Sequence, residues 1–367
     1  MNWQAVCQRL DIDPATILPA ISKDLADLGF PPRFEIVGLP GGASNRGYMR
    51  VNFKAQAPAQ SIIVMVLRDP DFKQAIEEVV EKGFEIKELP FLNVLKHFQA
   101  AGVTVPALIH YNQAKGLIYI EDLGDTLLRD AILAADQSGR QRLLKAAIDE
   151  LVLLQLDAGV REDRNFIGFR VRFSRELLRW ELDHFKEWAL DKRLGPVLKE
   201  SESKMLDASF EKITEELLAS PYILSHRDYH IDNLMVKDDK IRILDFQDAL
   251  MAPYTYDLAS LLYDRDTSQI IGPGLIEEMV KYYFDRLARG GCQPQEFSAY
   301  RRLFDLCVLH RAFKVVGRFY FLAGEKKKPE YLNFLPSVYS VLSQYLNRFN
   351  ELAALKKMLA QYLAELE

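Results

Sequence analysis

An α+β fold in two unequal lobes is predicted by three features of this 367-residue chain. Short apolar and β-branched runs crowd the first 120 positions, apolar residues at helical spacing fill most of the remaining chain, and a short strand-like segment, Gly116 to Gly124, stands between the two. Residues 1–120 and 121–367 are the expected lobes. A chain of this length can bury a large core, and a composition 49% hydrophobic and 27% charged is that of a globular protein.

In chain order, an initial helical segment precedes the strand-like run Phe34 to Leu39. A Gly-rich stretch, residues 41–50, leads into a second run from Tyr48 to Phe53 and so reads as a hairpin loop. Gly41, Gly42 and Gly47 permit close backbone approach there, and Ser44 and Asn45 can donate hydrogen bonds. Ser61 to Arg68, Ser-Ile-Ile-Val-Met-Val-Leu-Arg, is the next strand. Helices are predicted over Phe72 to Glu88 and Phe91 to Ala101, then near 139–157, 174–191, 203–219, 275–289, 297–323 and 336–365. Lys326-Lys327-Lys328-Pro329 reads as an exposed loop, and no internal repeat or low-complexity linker is present.

The most informative stretch is residues 225–248. His226-Arg227-Asp228 with Asn233 fits the phosphoryl-transfer loop pattern H-R-D-x-x-x-x-N, and Asp245 closes the apolar run Ile241 to Leu244. Such chemistry needs an oxygen-only cage for a hard cation, so an amide carbonyl (Asn233) and a carboxylate (Asp245) suit Mg²⁺. Asp228 must stay free of metal, orient a hydroxyl and take its proton late in the reaction. The alternation His226, Asp228, His230, Asp232 also admits a zinc reading, but a loop need not bring alternate residues to one point. A plain turn is the remaining alternative.

From these residues the sequence resembles the aminoglycoside phosphotransferase and choline kinase family, small-molecule kinases with a protein-kinase-like fold. The likeness continues in Asp245-Phe246-Gln247-Asp248 and in Ala252-Pro253-Tyr254-Thr255-Tyr256-Asp257-Leu258-Ala259. Within that family it is similar to the bacterial anomeric kinases of N-acetylmuramate and N-acetylglucosamine in cell-wall recycling, over roughly residues 38–336. Leu178-Arg179-Trp180-Glu181, Arg311-Ala312-Phe313-Lys314-Val315-Val316-Gly317 and Pro329-Glu330-Tyr331-Leu332 carry that narrower likeness. The resemblance implies a small antiparallel-sheet lobe, a larger helical lobe, ATP as donor and Mg²⁺ as cofactor. It makes Asp228 the catalytic base, Asn233 and Asp245 the metal ligands, and His226, Asp248 and Asp257 structural supports. Gly42, Ser44, Asn45 and Arg68 become nucleotide-binding candidates, as do Glu121 and Leu123 in the hinge, whose backbone would bond the adenine. The family usually places a phosphate-gripping Lys on the third strand, where this chain has none. Arg68 at the strand's end is the candidate substitute, with Glu85 and Glu88 as possible partners for it.

For the acceptor, Arg311, Lys314 and Arg318 recur at intervals of three and four and form one basic stripe. Facing the cleft, it would hold an anion such as a sugar-linked carboxylate or phosphate; facing water, it is a solvated surface. Trp180, Phe185 and Trp188 offer apolar faces for a sugar, and Glu181 a hydroxyl partner. An amino sugar is the expected small-molecule substrate. Another small-alcohol phosphotransferase, or a nucleotide-binding pseudokinase, are the alternatives. A net charge of −5 without a basic stripe suited to nucleic acid excludes that partner class. No apolar run approaches the roughly 20 residues of a membrane span. Three scattered cysteines and an N-terminus unlike a secretory signal favour the cytoplasm.

Overall fold

The structure is a computed structural model that describes residues 2–40, 46–54, 57–68, 87–292 and 296–366. Gly42, Ser44, Asn45, Glu85 and nearly all of the helix expected from Phe72 lie outside them.

Two helices open the chain, α1 (Trp3–Arg9) and α2 (Pro14–Asp27). Asn2 and Asp13 cap them by accepting from the N–H of Gln4 and Ala15, and Pro14 sits at the first turn of α2, where its missing N–H costs nothing. Next in the chain come β1 (Phe34–Gly38), β2 (Arg46–Phe53), β3 (Ser61–Leu67), α3 (Pro90–Ala100), β4 (Leu108–Asn112) and β5 (Leu117–Glu121). The five strands form one antiparallel sheet in the order β1-β2-β3-β5-β4. Its central strand, β3, is apolar on both faces because both are covered. Ile62, Val64 and Val66 pack with Val6, Ile17 and Ile21 of the first two helices, whereas Ile63, Met65 and Leu67 join the main core with Leu95 and Phe98 of α3. Helices α1 and α2 therefore pack on the sheet.

The contact of α1 with the sheet is close enough to require glycine. A Cβ on Gly47 would stand 2.4 Å from Val6 Cγ1 and 2.7 Å from Leu10 Cδ1, and one on Gly38 would meet Val6 and the backbone of Asn2 and Trp3. Gly47→Val is therefore expected to destabilise the protein by about 1–3 kcal/mol through overpacking. An unchanged denaturation midpoint would show that α1 can lift away at no cost.

The larger lobe begins with α4 (Leu128–Ala134) and α5 (Gln137–Leu153), which runs on as a π-helical turn to Ala158. Helix α6 (Arg175–Phe185) likewise continues π-helically to Asp191, before the short α7 (Lys192–Leu194) and α8 (Glu200–Leu218). Two strand pairs then frame the functional loops: β6 (Tyr222–Ser225) pairs with β9 (Leu250–Pro253), and between them β7 (Leu234–Lys237) pairs with β8 (Lys240–Ile243). The β7–β8 hairpin turns on Asp238 and Asp239, both left-handed at φ 51° and 58°, the twist a two-residue hairpin prefers. The remaining helices are α9 (Tyr256–Tyr263), α10 (Thr267–Ile271), α11 (Pro273–Arg289), α12 (Phe297–Gly324), α13 (Leu335–Leu346) and α14 (Ala353–Leu359). The single helix expected over 336–365 is thus broken: α13 stops at Asn347, and Phe349 leaves helical geometry at φ −113° to bury its ring. Strand β4 and helices α4, α9 and α10 are additions to the elements that the sequence pattern predicts.

Candidate active site

Residues 226–233 form the loop between β6 and β7, held at three points. Asp257, in the first turn of α9, accepts from the backbone N–H of His226 at 2.6 Å and of Arg227 at 2.9 Å. His226 Nε2 lies 2.8 Å from the carbonyl of Leu244, tying the loop to the residue before Asp245. From α12, Arg311 donates to the carbonyl of Arg227 at 3.0 Å and to Asp264 at 2.9 Å. These bonds hold Arg227 at φ +78°, a left-handed conformation that a non-glycine residue seldom adopts unaided. His226 and Asp257 thus tie the loop to Leu244 and to α9. Burial raises the Asp257 carboxyl above its ordinary value, opposed by His226 and its backbone N–H.

Asp228, at the loop's centre, keeps 44% of its side chain exposed to a cavity of about 390 Å³. Burial pushes its pKa up, but Lys314, Arg311 and Arg227 outweigh that and hold it well below the usual carboxylate range. It is therefore ionised at neutral pH and ready to orient a hydroxyl. The cavity's deep wall is charged. Glu181 of α6 is buried beneath it, 2.9 Å from Lys314 and 3.2 Å from Arg227. The basic stripe is consequently interior at two of its three members, with Arg311 4% exposed and Lys314 half-buried, whereas Arg318 is exposed. Glu181, expected at a substrate hydroxyl, is engaged with Lys314 and Arg227, which against the effect of burial hold its pKa at about 2. Trp180 stands exposed at the rim, stacked on His184, whereas Phe185 is core.

A second cleft, of about 560 Å³, opens between the sheet and the loop. Asn233 and Asp245 line it together, placed side by side by the bond from the Leu244 N–H to the Asn233 carbonyl at 2.9 Å. Asn233 donates its Nδ2 to the carbonyl of Asp228 at 3.0 Å, leaving Oδ1 as its acceptor for a cation. Gln247 donates to Asp245 at 2.9 Å and to Asp248 at 2.8 Å, fixing both carboxylates. An amide oxygen beside a carboxylate suits Mg²⁺, and the guanidinium of Arg46, 3.8 Å from Asp245, shows that the position attracts positive charge. Among the described residues no group of three His, Cys, Asp or Glu side chains could hold a metal, so the zinc reading finds no support. Asp232 is committed to Arg129 and Arg265.

At the cleft's other end lies the segment after β5. Glu121 bonds through backbone and side chain to Ala107 and pairs with Lys237 at 2.8 Å, while Lys237 also donates to the Asp122 carbonyl at 2.8 Å. Asp122 accepts from Ser61 and is clamped by Arg50 of β2 at 2.6 Å. Among the described residues the N–H of Leu123 makes no hydrogen bond, and both Glu121 and Leu123 line the cleft. Side chains matter more here than expected, since Arg50, Asp122 and Lys237 fix the hinge. Arg68, by contrast, comes just after the end of β3, is exposed and does not line the cleft. Strand β3 turns Ile63, Met65 and Leu67 to this side and offers the cleft only Ile63, so no cation comes from it.

The sequence model of the phosphotransferase enzyme family matches residues 35–294. An N-acetylmuramate/N-acetylglucosamine kinase of Neisseria meningitidis is 31% identical over 279 residues, covering 76% of this chain and 80% of the relative. A protein of the same name from Pseudomonas aeruginosa is 28% identical over 329 residues, covering 90% and 89%. Among solved structures, a choline kinase of Cryptosporidium parvum superposes with a TM-score of 0.57 at 13% identity, covering 94% of this chain and 97% of that one. An ADP-bound aminoglycoside phosphotransferase gives 0.56 at 12% identity, covering 89% and 96%. These structures show the protein-kinase-like fold.

Proposed function

The chain belongs to the phosphotransferase enzyme family, and on that premise we propose that it transfers the γ-phosphoryl group of ATP to the anomeric hydroxyl of N-acetylmuramate or N-acetylglucosamine. The observation that carries the acceptor class is the cavity at Asp228, walled by Arg311, Lys314 and Arg227. The cations of that lining are balanced by Glu181, Asp264, Asp228 and Asp248, so it carries no acidic excess, which suits a neutral or anionic sugar better than a polycationic aminoglycoside. The names of the relatives point to the same sugars.

In this reading residues 1–120 with the hinge at 118–124 bind nucleotide, and residues 121–367 supply the loop and acceptor cavity. The Leu123 N–H, with the Glu121 backbone, receives the adenine. Asn233 and Asp245 hold Mg²⁺, which when bound neutralises charge on the phosphates. Asp228 orients the sugar hydroxyl and accepts its proton as the new phosphorus–oxygen bond forms. Trp180 at the rim gives the sugar ring an apolar face. Arg311 acts through the Arg227 carbonyl it holds, and Lys314 through the field it sets on Asp228. Dependence on ATP and three free thiols suit the cytoplasm.

ADP release from Mg-ATP, measured with N-acetylmuramate, N-acetylglucosamine, an aminoglycoside, choline and no acceptor, tests the assignment. Turnover is expected with the two sugars. Turnover with choline or the aminoglycoside alone would overturn it.

A further inference from the structure

Arg318 lies one turn beyond Lys314 and two beyond Arg311 on α12, on the same face. Among the described residues it is the one side chain that lines both cavities, the cleft that holds Asn233 and Asp245 and the cavity that holds Asp228. The other cations of the second cavity are each matched by a carboxylate. Arg311 has Asp264 at 2.9 Å, Lys314 and Arg227 share Glu181, and Arg265 has Asp232. Among the described residues Arg318 has no carboxylate within ion-pair reach; its guanidinium lies over the ring of Phe321, 5.0 Å away. Unlike Arg311, which is 4% exposed, Arg318 is solvent-exposed, so water solvates its charge. It is an uncompensated charge at the junction of the two spaces. On the sheet side Arg50 is committed to Asp122 and Asp125, Arg46 stands 3.8 Å from Asp245, Ser61 donates to Asp122, and the rest of that face of β3 is Ile63, Met65 and Leu67.

We propose that Arg318 is a catalytic residue that contacts the γ-phosphoryl group as it passes from one cavity to the other. A planar guanidinium donates to two oxygens at once, which suits a flattening phosphoryl group. In the step, the acceptor oxygen bonds to the γ-phosphorus and its proton goes to Asp228. The bond from that phosphorus to the β,γ-bridging oxygen breaks, its electron pair staying on ADP. Arg318 donates hydrogen bonds to the non-bridging oxygens throughout, stabilising their charge most when the bond to ADP is broken.

The inference rests on the acceptor occupying the Asp228 cavity, so its test has one arm with sugar and one without. In the first arm, kcat of Arg318→Ala is expected to fall by on the order of 10³-fold with N-acetylmuramate and N-acetylglucosamine alike, with Arg318→Lys recovering part of it. In the second, binding of Mg-AMP-PNP is expected to weaken about tenfold while that of Mg-ADP stays unchanged, as for one charged hydrogen bond. A loss confined to N-acetylmuramate would place Arg318 on the acceptor's carboxylate and overturn the proposal; so would an unchanged kcat. If wild-type protein turned over neither sugar, the acceptor reading would fall by itself. The nucleotide comparison would still decide on Arg318, since equal weakening or no weakening of the two nucleotides rejects it.

Discussion

Asp228→Asn is expected to lower kcat by about 10²–10⁴-fold, the range for loss of a general base, while changing the affinity for Mg-AMP-PNP by less than about twofold. The split comes from position: Asp228 lines the acceptor cavity and is absent from the lining of the nucleotide cleft. The amide keeps the shape but accepts no proton. It also removes an anion that Arg311, Lys314 and Arg227 surround, so KM for an acceptor bearing a carboxylate is expected to fall as kcat does. The wild-type pH profile carries a second sign. Because those cations depress the Asp228 pKa, the base is ionised above that lowered value and is lost only as pH falls through it. The acid limb of kcat due to this group should therefore lie below the ordinary carboxylate range. Steady-state kinetics and calorimetry on the variant decide the matter: retained turnover would mean that Asp228 is not the base.

How far this site could be read from sequence depended on the range of the interactions that build it. Asp228, Asn233 and Asp245 were legible because phosphoryl transfer fixes their types and short spacing, and two short strand pairs suffice to bring them together. Strands β1, β2, β3 and β5 announced themselves by β-branched and apolar runs, whereas β4 reads Leu-Ile-His-Tyr-Asn with no alternation and half-buried residues throughout. The basic stripe of α12 was legible as a stripe, but the enclosure of Arg311 and Lys314 within it was not. Periodicity places polar residues on one face, and a face that lines a charged cavity has the same period as one that meets water. What separates the cases is the carboxylate opposite, and Glu181 and Asp264 come from distant elements. The hinge clamp was hidden for the same reason, since Arg50 meets Asp122 across 72 positions of sequence. Phe185, Trp180 and Trp188 looked alike as sugar platforms, yet Trp180 and Phe185 lie five residues apart on α6, about 140° round the helix, which sends Phe185 to the core and Trp180 to the rim.

Those long-range pairs predict the largest stability effect. Glu181 is 1% exposed, with Lys314 at 2.9 Å, Arg227 at 3.2 Å, the Tyr256 hydroxyl at 3.5 Å and His310 at 3.9 Å. Removing the carboxylate leaves two cations in a space that expels charge, so Glu181→Ala is expected to cost about 3–5 kcal/mol in denaturant unfolding. The same charges fix the pH dependence. The folded pKa of about 2 lies below the ordinary 4.5, so the contribution of Glu181 is complete above pH 4.5 and fades as pH falls through its folded value. That contribution is on the order of 3 kcal/mol. Glu181→Gln, which cannot titrate, lacks this pH-dependent contribution, and the stability gap between wild type and variant should narrow steadily as the solution is acidified below pH 4.5. Lys314→Met offers the complementary check, because it removes a cation from both Glu181 and Asp228. In that variant the acid limb of kcat should move up in pH, toward the ordinary carboxylate value, even where the fold is retained. A gap that stays constant with acid, together with an unmoved kcat profile in Lys314→Met, would mean that the charges beneath the cavity do not govern the base above it.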